Sequence, residues 1–176
     1  MQINVPSTIP FAREDVFSAY RDDLSSLVQY LPNISKIETV SREEPEDGIV
    51  TFENHWYAEA NIPKVGQAFI KRDMLKWIDY ARWNKNDWTC EWRIETFFMR
   101  EAVSCSGKNY FKVQGDEATG LTITGDLNLN MKAVPGVPRL LAGTVKPQLE
   151  KFIVALITPN FHTINEGIVS FLKSKS

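Results

Sequence analysis

The alternation of hydrophobic and polar residues predicts most of the elements of this chain. The clearest pattern is the stretch NDWTCEWRIETFF, residues 86–98. One parity of this stretch carries Trp88, Cys90, Trp92, Ile94, Thr96 and Phe98, and the other begins with Thr89, Glu91, Arg93 and Glu95. A period of two predicts a half-buried β-strand, so the two tryptophans of the first parity project together toward the interior.

Helical spacing occurs in two regions of the chain. After an extended start, the apolar residues of FAREDVFSAYRDDLSSLVQYLPN recur at three and four positions. Polar residues at 22–26 interrupt this run and Pro32 ends it, so we expect two short helices. A second apolar stripe at helical spacing runs from about residue 139 to the C-terminus. There Thr144 is a candidate cap for a helix with Pro147 in its first turn, and Pro159 predicts a kink.

Between these regions the period is two. Turn residues in EEPEDG (43–48), NKND (84–87) and GDEATG (115–120) separate the extended segments and predict β-hairpins. The predicted order is one strand, two short helices, about six antiparallel strands and one long amphipathic helix. A sheet with one apolar face needs a cover, and only the last helix is long enough to supply it.

This order of elements resembles the helix-grip fold of the START and polyketide-cyclase-like superfamily. The segment FAREDVFSAYRDDLSSLVQYLPNISKIETV is similar to the family's opening, in which an apolar and aromatic helix leads to W/Y-L-P and a strand. The segments VPRLLAG and KPQLEKFIVALI are similar to its closing helix. The resemblance implies an α+β fold, with a curved antiparallel sheet of about six to seven strands wrapped around the C-terminal helix. It covers nearly the whole chain, which we expect to form a single domain over residues 1–176.

Composition narrows the classes of function. Twenty Lys and Arg residues are mixed with twenty-two Asp and Glu residues, so we expect no nucleic-acid partner. No apolar run is long enough for a transmembrane segment, and the start lacks the pattern of a secretory signal. Cys90 and Cys105 fit no metal-binding spacing, and the chain has only two histidines. We therefore expect a cytoplasmic protein with free thiols, no metal and no cofactor.

The chain carries no catalytic motif that we recognise. His55 and His162 lie outside any G-x-S-x-G, and G-x-G-x-x-G, Walker A and H-E-x-x-H patterns are absent. Asn54, Asp79 and Thr96 are polar residues at positions of apolar parity. An internal Asp79 would need a cationic partner or a raised pKa. We assign no catalytic residue from the sequence, and the resembled family has no universal catalytic motif to transfer.

The aromatic inner face has two interpretations, a filled core or a pocket for an apolar ligand. Pockets for small molecules are mostly apolar with a few polar groups, and the family resemblance favours a pocket. We predict a cavity between the sheet and the C-terminal helix. Its predicted ligand-binding residues are Phe52, Asn54, Trp56, Trp92, Phe98, Leu127, Leu129, Phe152 and Leu156.

Three functions are compatible with this sequence. The leading hypothesis is binding or transport of an apolar small molecule or lipid, without catalysis. The alternatives are a polyketide cyclase/aromatase-like or related enzyme that uses the same cavity, and a domain without a pocket that acts through a protein partner. Residues 61–72 (NIPKVGQAFIKR) and 134–141 (VPGVPRLL) are expected beside the cavity mouth. The first segment combines apolar and basic residues, and could make weak contact with an anionic membrane surface.

Overall fold

The computed structural model describes residues 1–31, 33–59, 75–97, 100–115, 117–134 and 139–175, without the side chains at 139 and 152–160. The strands are β1 (Gln2–Ile9), β2 (Ile34–Glu46), β3 (Ile49–Ala58), β4 (Lys76–Asn84), β5 (Thr89–Thr96), β6 (Val103–Val113) and β7 (Thr119–Leu129). The helices are α1 (Arg13–Asp22), a 3₁₀ helix (Leu24–Tyr30) and α2 (Ala142–Lys175), with 3₁₀ turns at Met131–Ala133 and Arg139–Leu141. The predicted order of elements and the α+β fold class are confirmed.

All seven strands form one antiparallel sheet in the order β1-β7-β6-β5-β4-β3-β2. Strands β2 to β7 follow one another along the chain and across the sheet, so each pairs with its sequence neighbour. Strand β1 pairs with β7, which makes β1 and β2 the two edges. The sheet is curved, and α2 contacts it at β1 and β7, as in a helix-grip fold.

The β2–β3 connection is tighter than the sequence predicted. Strand β2 runs through Pro45 to Glu46, and the turn consists of Asp47 and Gly48, with Gly48 at a φ of +74°. A positive φ is accessible to glycine at little cost, which explains the Asp-Gly pair. Pro45 is tolerated inside a strand because β2 is an edge.

The edge strand β2 is irregular and charged. Its pairing with β3 shifts register at three places, between Ile34 and Lys36, Thr39 and Ser41, and Glu43 and Glu46. From residue 38 to its end the strand is exposed. Two ion pairs run along it, Lys36–Glu38 at 2.8 Å and Arg42–Glu44 at 2.6 Å.

The β4–β5 turn corrects the assignment of Trp88. The turn covers residues 85–88, and Trp88 has a φ of +59°, so β5 begins only at Thr89. Trp88 therefore lies outside the alternating run of β5, although its ring still packs against the core. Its ring packs edge-on against Phe17, with centroids 5.2 Å apart, and the Arg13 guanidinium lies 4.0 Å from the ring centroid.

The core lies between the inner face of the sheet and the helices. Phe17 of α1 is the centre of an aromatic cluster, with ring centroids 5.1 Å from Trp83 and 5.2 Å from Phe111. Strand residues Val5, Leu121 and Ile123 alternate inward with polar residues between them. Helix α2 contributes Leu149, Ile164, Ile168 and Phe171. The predicted apolar stripe of this helix is thus buried at these four positions, whereas Leu140 and Leu141 ahead of the helix are exposed.

Helix α2 begins earlier than predicted, and the kink at Pro159 stays a prediction. It begins at Ala142, ahead of Thr144, and continues without a break through Pro147 and Pro159 for 34 residues. At 1.5 Å per residue its length is about 50 Å. Residues 142–148 contain no buried side chain, and the first fully buried one is Leu149. The helix is accommodated because its first turns extend beyond the core. In the part of the chain that the structure describes, no helix is long and apolar enough to cross a membrane.

Candidate functional site

A cavity lies on the inner face of the sheet, beneath β3 to β6. The cavity has a volume of about 80 Å³. When the opening to solvent is included, the atom-free volume is about 700 Å³. A ligand enclosed in the cavity without movement of side chains is limited to the volume of about 80 Å³. Strand residues around the cavity are Asn54, Trp56, Trp77, Asp79, Ala81, Trp83, Cys90, Trp92, Ile94 and Asn109. Helical residues are Tyr20, Arg21, Leu24, Phe161 and Ile164.

Strand register places the cavity residues in rows across the sheet. Asn54 of β3 lies opposite Asp79 of β4, and Asp79 lies opposite Ile94 of β5. In the next row Ala81 lies opposite Trp92. Because alternate residues of a strand share a face, the small side chain of Ala81 leaves space between neighbouring large ones. The cavity thus follows from the order of large and small inward residues.

Trp56 and Trp77 form a stacked pair at one end of the cavity. They are opposite each other on β3 and β4, with ring centroids 5.7 Å apart and an interplanar angle of 15°. Both are buried, and the Nε1 atom of Trp56 has no hydrogen-bond partner among the described residues. This unpaired N–H adds a polar group to the aromatic end of the cavity, and its burial without a partner is energetically costly.

Trp92 is held in place by a hydrogen bond and by two glycines. Its indole N–H donates to Asn109 Oδ1 at 2.9 Å, and its ring packs against Phe161 with centroids 5.7 Å apart. Gly107 and Gly125 lie opposite each other on β6 and β7 beside the ring. A Cβ atom on Gly125 would lie 2.8 Å from both Trp92 Cη2 and the Ser106 carbonyl oxygen, and one on Gly107 would collide with the ring and with the Thr124 carbonyl oxygen. The two missing side chains therefore provide the space that the indole occupies.

Asp79 is the acidic group of the cavity. The Nδ2 atom of Asn54 donates to Asp79 Oδ2 at 3.4 Å, and the Thr39 hydroxyl donates to Asn54 Oδ1 at 2.8 Å. Burial away from bulk water raises the pKa of Asp79 from 3.8 to about 6, against the opposing effect of hydrogen bonding by Asn54 and of the nearby Trp56 N–H. Asp79 is only half-buried by area because its remaining surface faces the cavity. The Trp56 N–H lies close enough to favour the carboxylate, yet outside hydrogen-bond geometry.

Two further titratable groups of the cavity stay neutral. Burial raises the pKa of the Tyr20 hydroxyl and of the Cys90 thiol, with the Asp79 carboxylate adding to both effects. A buried thiol with a raised pKa is a poor nucleophile. Arg21 is the cationic residue of the cavity, and its guanidinium is bound by the neighbouring Asp22. Within the described residues no three His, Cys, Asp or Glu side chains are grouped to hold a metal ion.

The structure brings three of the predicted ligand-binding residues together and leaves three others outside the cavity. Asn54, Trp56 and Trp92 line it. Phe52, Leu127 and Leu129 are buried in the core but do not line it. Inward parity identifies a face of the sheet, whereas the cavity occupies only part of that face. The remaining three predictions, Phe98, Phe152 and Leu156, lie outside the residues and side chains that the structure describes.

The other cavity residues had weaker sequence signals. Trp77, Asp79, Ala81 and Trp83 share a parity, but the opposite parity of that segment carries Ile78 and Tyr80, so its inner face was ambiguous. Tyr20 and Leu24 belong to the predicted apolar stripe of the first helices, which indicates a core position equally well. Asn109 had no signal beyond its strand, because its role depends on the indole N–H of Trp92.

The predicted entrance falls largely on residues outside the described part of the chain. These are residues 61–72, and 135–138 of the second predicted segment. The two histidines are away from the cavity lining. His55 lies on the outer face of β3, where its Nε2 atom is 2.9 Å from Glu53 Oε1, and His162 is exposed on α2.

No family model matches this chain, and no curated protein does. Solved structures match it over nearly its whole length. A protein from Thermus thermophilus is 19% identical with a TM-score of 0.69, covering 100% of this chain and 99% of that protein. The Zhui aromatase/cyclase from a Streptomyces species is 14% identical with a TM-score of 0.67, covering 98% and 93%.

Norcoclaurine synthase from Thalictrum flavum, in complex with dopamine and hydroxybenzaldehyde, is a third similar structure. It is 11% identical with a TM-score of 0.62, covering 100% of this chain and 88% of the synthase. The likenesses to the aromatase/cyclase and to the synthase confirm the resemblance in fold that the sequence predicted. The chain has the helix-grip fold.

The glycine pair makes a testable prediction about Trp92. We expect Gly125→Ala to displace the indole and to lower the free energy of unfolding by about 1–3 kcal/mol, as overpacking does. Gly120→Ala on the same strand is the matched control, because its new Cβ would meet the flexible Gln114 side chain at 3.2 Å and the Lys112 carbonyl oxygen at an ordinary contact distance of 3.8 Å. Urea unfolding with tryptophan fluorescence measures both. Adding Trp92→Phe to Gly125→Ala should recover part of the loss, and equal losses in the two glycine variants would contradict the role given to the ring.

The raised pKa of Asp79 makes a second prediction. Its folded-state pKa of about 6 exceeds its value of 3.8 in the unfolded chain, so the unfolded state loses its proton first as pH rises. The free energy of unfolding should therefore fall between about pH 4 and pH 6, by roughly 3 kcal/mol at most. Asp79→Asn should remove this fall. Urea unfolding of both proteins from pH 4 to 7 gives the difference, and parallel curves would mean that Asp79 is not desolvated.

Proposed function

We propose that this protein binds an apolar small molecule in the cavity beneath β3 to β6. The observation that carries the proposal is an aromatic-lined cavity with a few isolated polar groups, Asn54, Asp79 and Asn109. Small-molecule sites typically combine apolar walls with a small number of polar groups that orient the ligand. The cavity is small, which favours a compact molecule over a lipid with long chains.

The four indoles of the cavity support binding more than simple core packing. Trp56, Trp77, Trp83 and Trp92 all line the same empty space. Protein interiors are normally packed without voids larger than a water molecule, and a void that persists among large rings forfeits their contacts. A ligand that fills the void would restore those contacts. Both cysteines are free, as is usual in the cytosol, which we propose as the place of action.

The binding proposal is tested by changing the cavity volume in both directions. Ala81→Leu adds three carbon atoms to the cavity surface and should weaken binding of a compact apolar fluorescent dye, part of which extends into the opening of the cavity, by about tenfold or more. Ile94→Ala enlarges the same space and should retain the dye. Dye titration monitored by tryptophan quenching gives the affinities, and thermal melts show whether each variant folds. Equal affinities in both variants and the wild type would place the dye elsewhere, and absence of dye binding to the wild type would contradict the proposal.

A second candidate function is an enzyme of the polyketide cyclase/aromatase-like kind. Asp79 favours it, because a cavity carboxyl with a pKa of about 6 suits a general base near neutral pH. In such a reaction the cavity would orient a carbonyl compound, and the Asp79 carboxylate would accept a proton from the carbon next to the carbonyl. The similar Zhui aromatase/cyclase and norcoclaurine synthase are enzymes by name.

Carrier and enzyme are distinguished by proton exchange. We expect an enzyme to accelerate exchange of the α-protons of 1-phenylpropan-2-one into D₂O, with a rate that rises through about pH 6. Asp79→Asn should abolish the acceleration while the protein still binds the ketone, and NMR measures both. In a carrier, neither the wild type nor Asp79→Asn changes the exchange rate. Acceleration that survives Asp79→Asn would exclude Asp79 as the base.

A further inference from the structure

The charges of the cavity do not balance. Asp79 and Arg21 are the charged residues among its described lining. The Arg21 guanidinium already binds Asp22 through two atoms, with Nε 2.9 Å from Oδ1 and Nη2 2.7 Å from Oδ2. The side-chain partner found for Asp79 among the described residues is the neutral amide of Asn54, at 3.4 Å. One negative charge therefore faces the cavity at neutral pH without a cation beside it among the described residues.

The elements around Asp79 supply no compensating group at the described positions. Strand β3 contributes Asn54 and Trp56, and β5 contributes Cys90. Helix α1 contributes Tyr20, and burial keeps both the Tyr20 hydroxyl and the Cys90 thiol protonated by raising each pKa. The described cavity residues of α2, Phe161 and Ile164, carry no charge. A buried carboxylate is costly unless it is paired, so a partner from outside the protein would relieve this cost.

The aromatic rings favour the same sign of charge. Among the described residues, six aromatic side chains line the cavity, namely Tyr20, Trp56, Trp77, Trp83, Trp92 and Phe161. The face of an aromatic ring is electronegative and attracts a cation, most strongly for tryptophan. Clusters of aromatic side chains with a carboxylate are suited to organic ammonium ions, because the rings accept the apolar groups and the carboxylate balances the charge.

We propose that the ligand of this cavity is an organic ammonium ion on a small apolar body, with its nitrogen against Asp79. The inference rests on the proposed binding function and names the chemical class of the ligand. An anion would be repelled by Asp79. A neutral hydroxyl could hydrogen-bond to the carboxylate but would leave its charge uncompensated, whereas an ammonium group does both.

The dimensions of the cavity limit the ammonium ligand to a small one. The space for water-sized molecules is about 80 Å³, roughly half of the ~150 Å³ engineered cavity that admits benzene. It accommodates an ammonium group with a few carbon atoms. A ring attached to that group would extend into the open side of the cavity, since the total atom-free volume including the opening to solvent is about 700 Å³.

A charge series on one ring tests the proposal in the wild-type protein. Benzylamine, benzyl alcohol and benzoate have similar size and carry a positive, zero and negative charge at about pH 7.5. We expect benzylammonium to bind about tenfold or more tighter than benzyl alcohol, and benzoate not to bind. Isothermal titration calorimetry at low salt measures all three, with the apolar dye of the previous section as a reference ligand.

Two carboxylate variants show whether Asp79 is responsible. Asp79→Asn keeps the shape of the side chain and removes its charge, so the preference for benzylammonium should disappear while benzyl alcohol still binds. Glu53→Gln is the matched control. It removes a carboxylate from the outer face of β3, where Glu53 contacts His55, and should leave the preference intact. In the wild type, benzylammonium should bind more weakly at about pH 5 than at pH 7.5, because Asp79 becomes protonated.

Each outcome separates this inference from the binding function on which it rests. A preference for benzylammonium that is lost in Asp79→Asn and kept in Glu53→Gln supports the inference. Equal affinities of benzylammonium and benzyl alcohol in the wild type overturn it, while dye binding would still support an apolar ligand. Failure of the dye and of all three compounds to bind overturns both. The comparison of charges needs no variant, so it remains decisive even if Asp79→Asn does not fold.

Discussion

The structure depends on one constraint, that a single long helix has to help cover the inner face of seven strands. Along its described residues, α2 approaches β1, β7, α1 and the 3₁₀ helix most closely. At β5 the sheet reaches the helix through a large ring, because Trp92 packs against Phe161 with ring centroids 5.7 Å apart. Large rings such as Trp56 and Trp77 extend from the sheet into this space, and the part that they leave empty is the cavity. Curvature, aromatic content and cavity are thus consequences of the same geometry.

The polar groups of the cavity are fully hydrogen-bonded around Trp92 but only partly hydrogen-bonded around Asp79 among the described residues. Trp92 and Asn109 satisfy each other through one hydrogen bond, and the glycines beside the ring fix its position. Asp79 has a weaker arrangement, in which Asn54 approaches at 3.4 Å and the Trp56 N–H is close but unpaired among the described residues. Buried polar groups are normally fully hydrogen-bonded, and exceptions concentrate at functional sites. The asymmetry therefore locates the chemistry of the cavity at its Asp79 end.

Local periodicity was sufficient to predict the elements and their order, because hairpin connections join strands that are neighbours in the sheet. It also placed Asn54, Trp56 and Trp92 on the inner face. Local periodicity could not predict side-chain roles that depend on how distant strands pair. Asp79 faces inward because it pairs with Asn54 across the β3–β4 register. The sequence of β4 alone does not specify this orientation, because both of its faces are partly apolar. The positive φ of Trp88 likewise depends on tertiary context, which overrides local preference.

The two edges of the sheet have a consequence for how copies of this protein meet. An open edge strand presents unpaired backbone groups to which a foreign strand can add. On β2 the register shifts and the charged residues within 38–46 interrupt the hydrogen bonding that an added strand would need. On β1, Pro6 lacks the backbone N–H that could donate to an added strand. Growth of the sheet from one molecule into the next is therefore disfavoured at both ends.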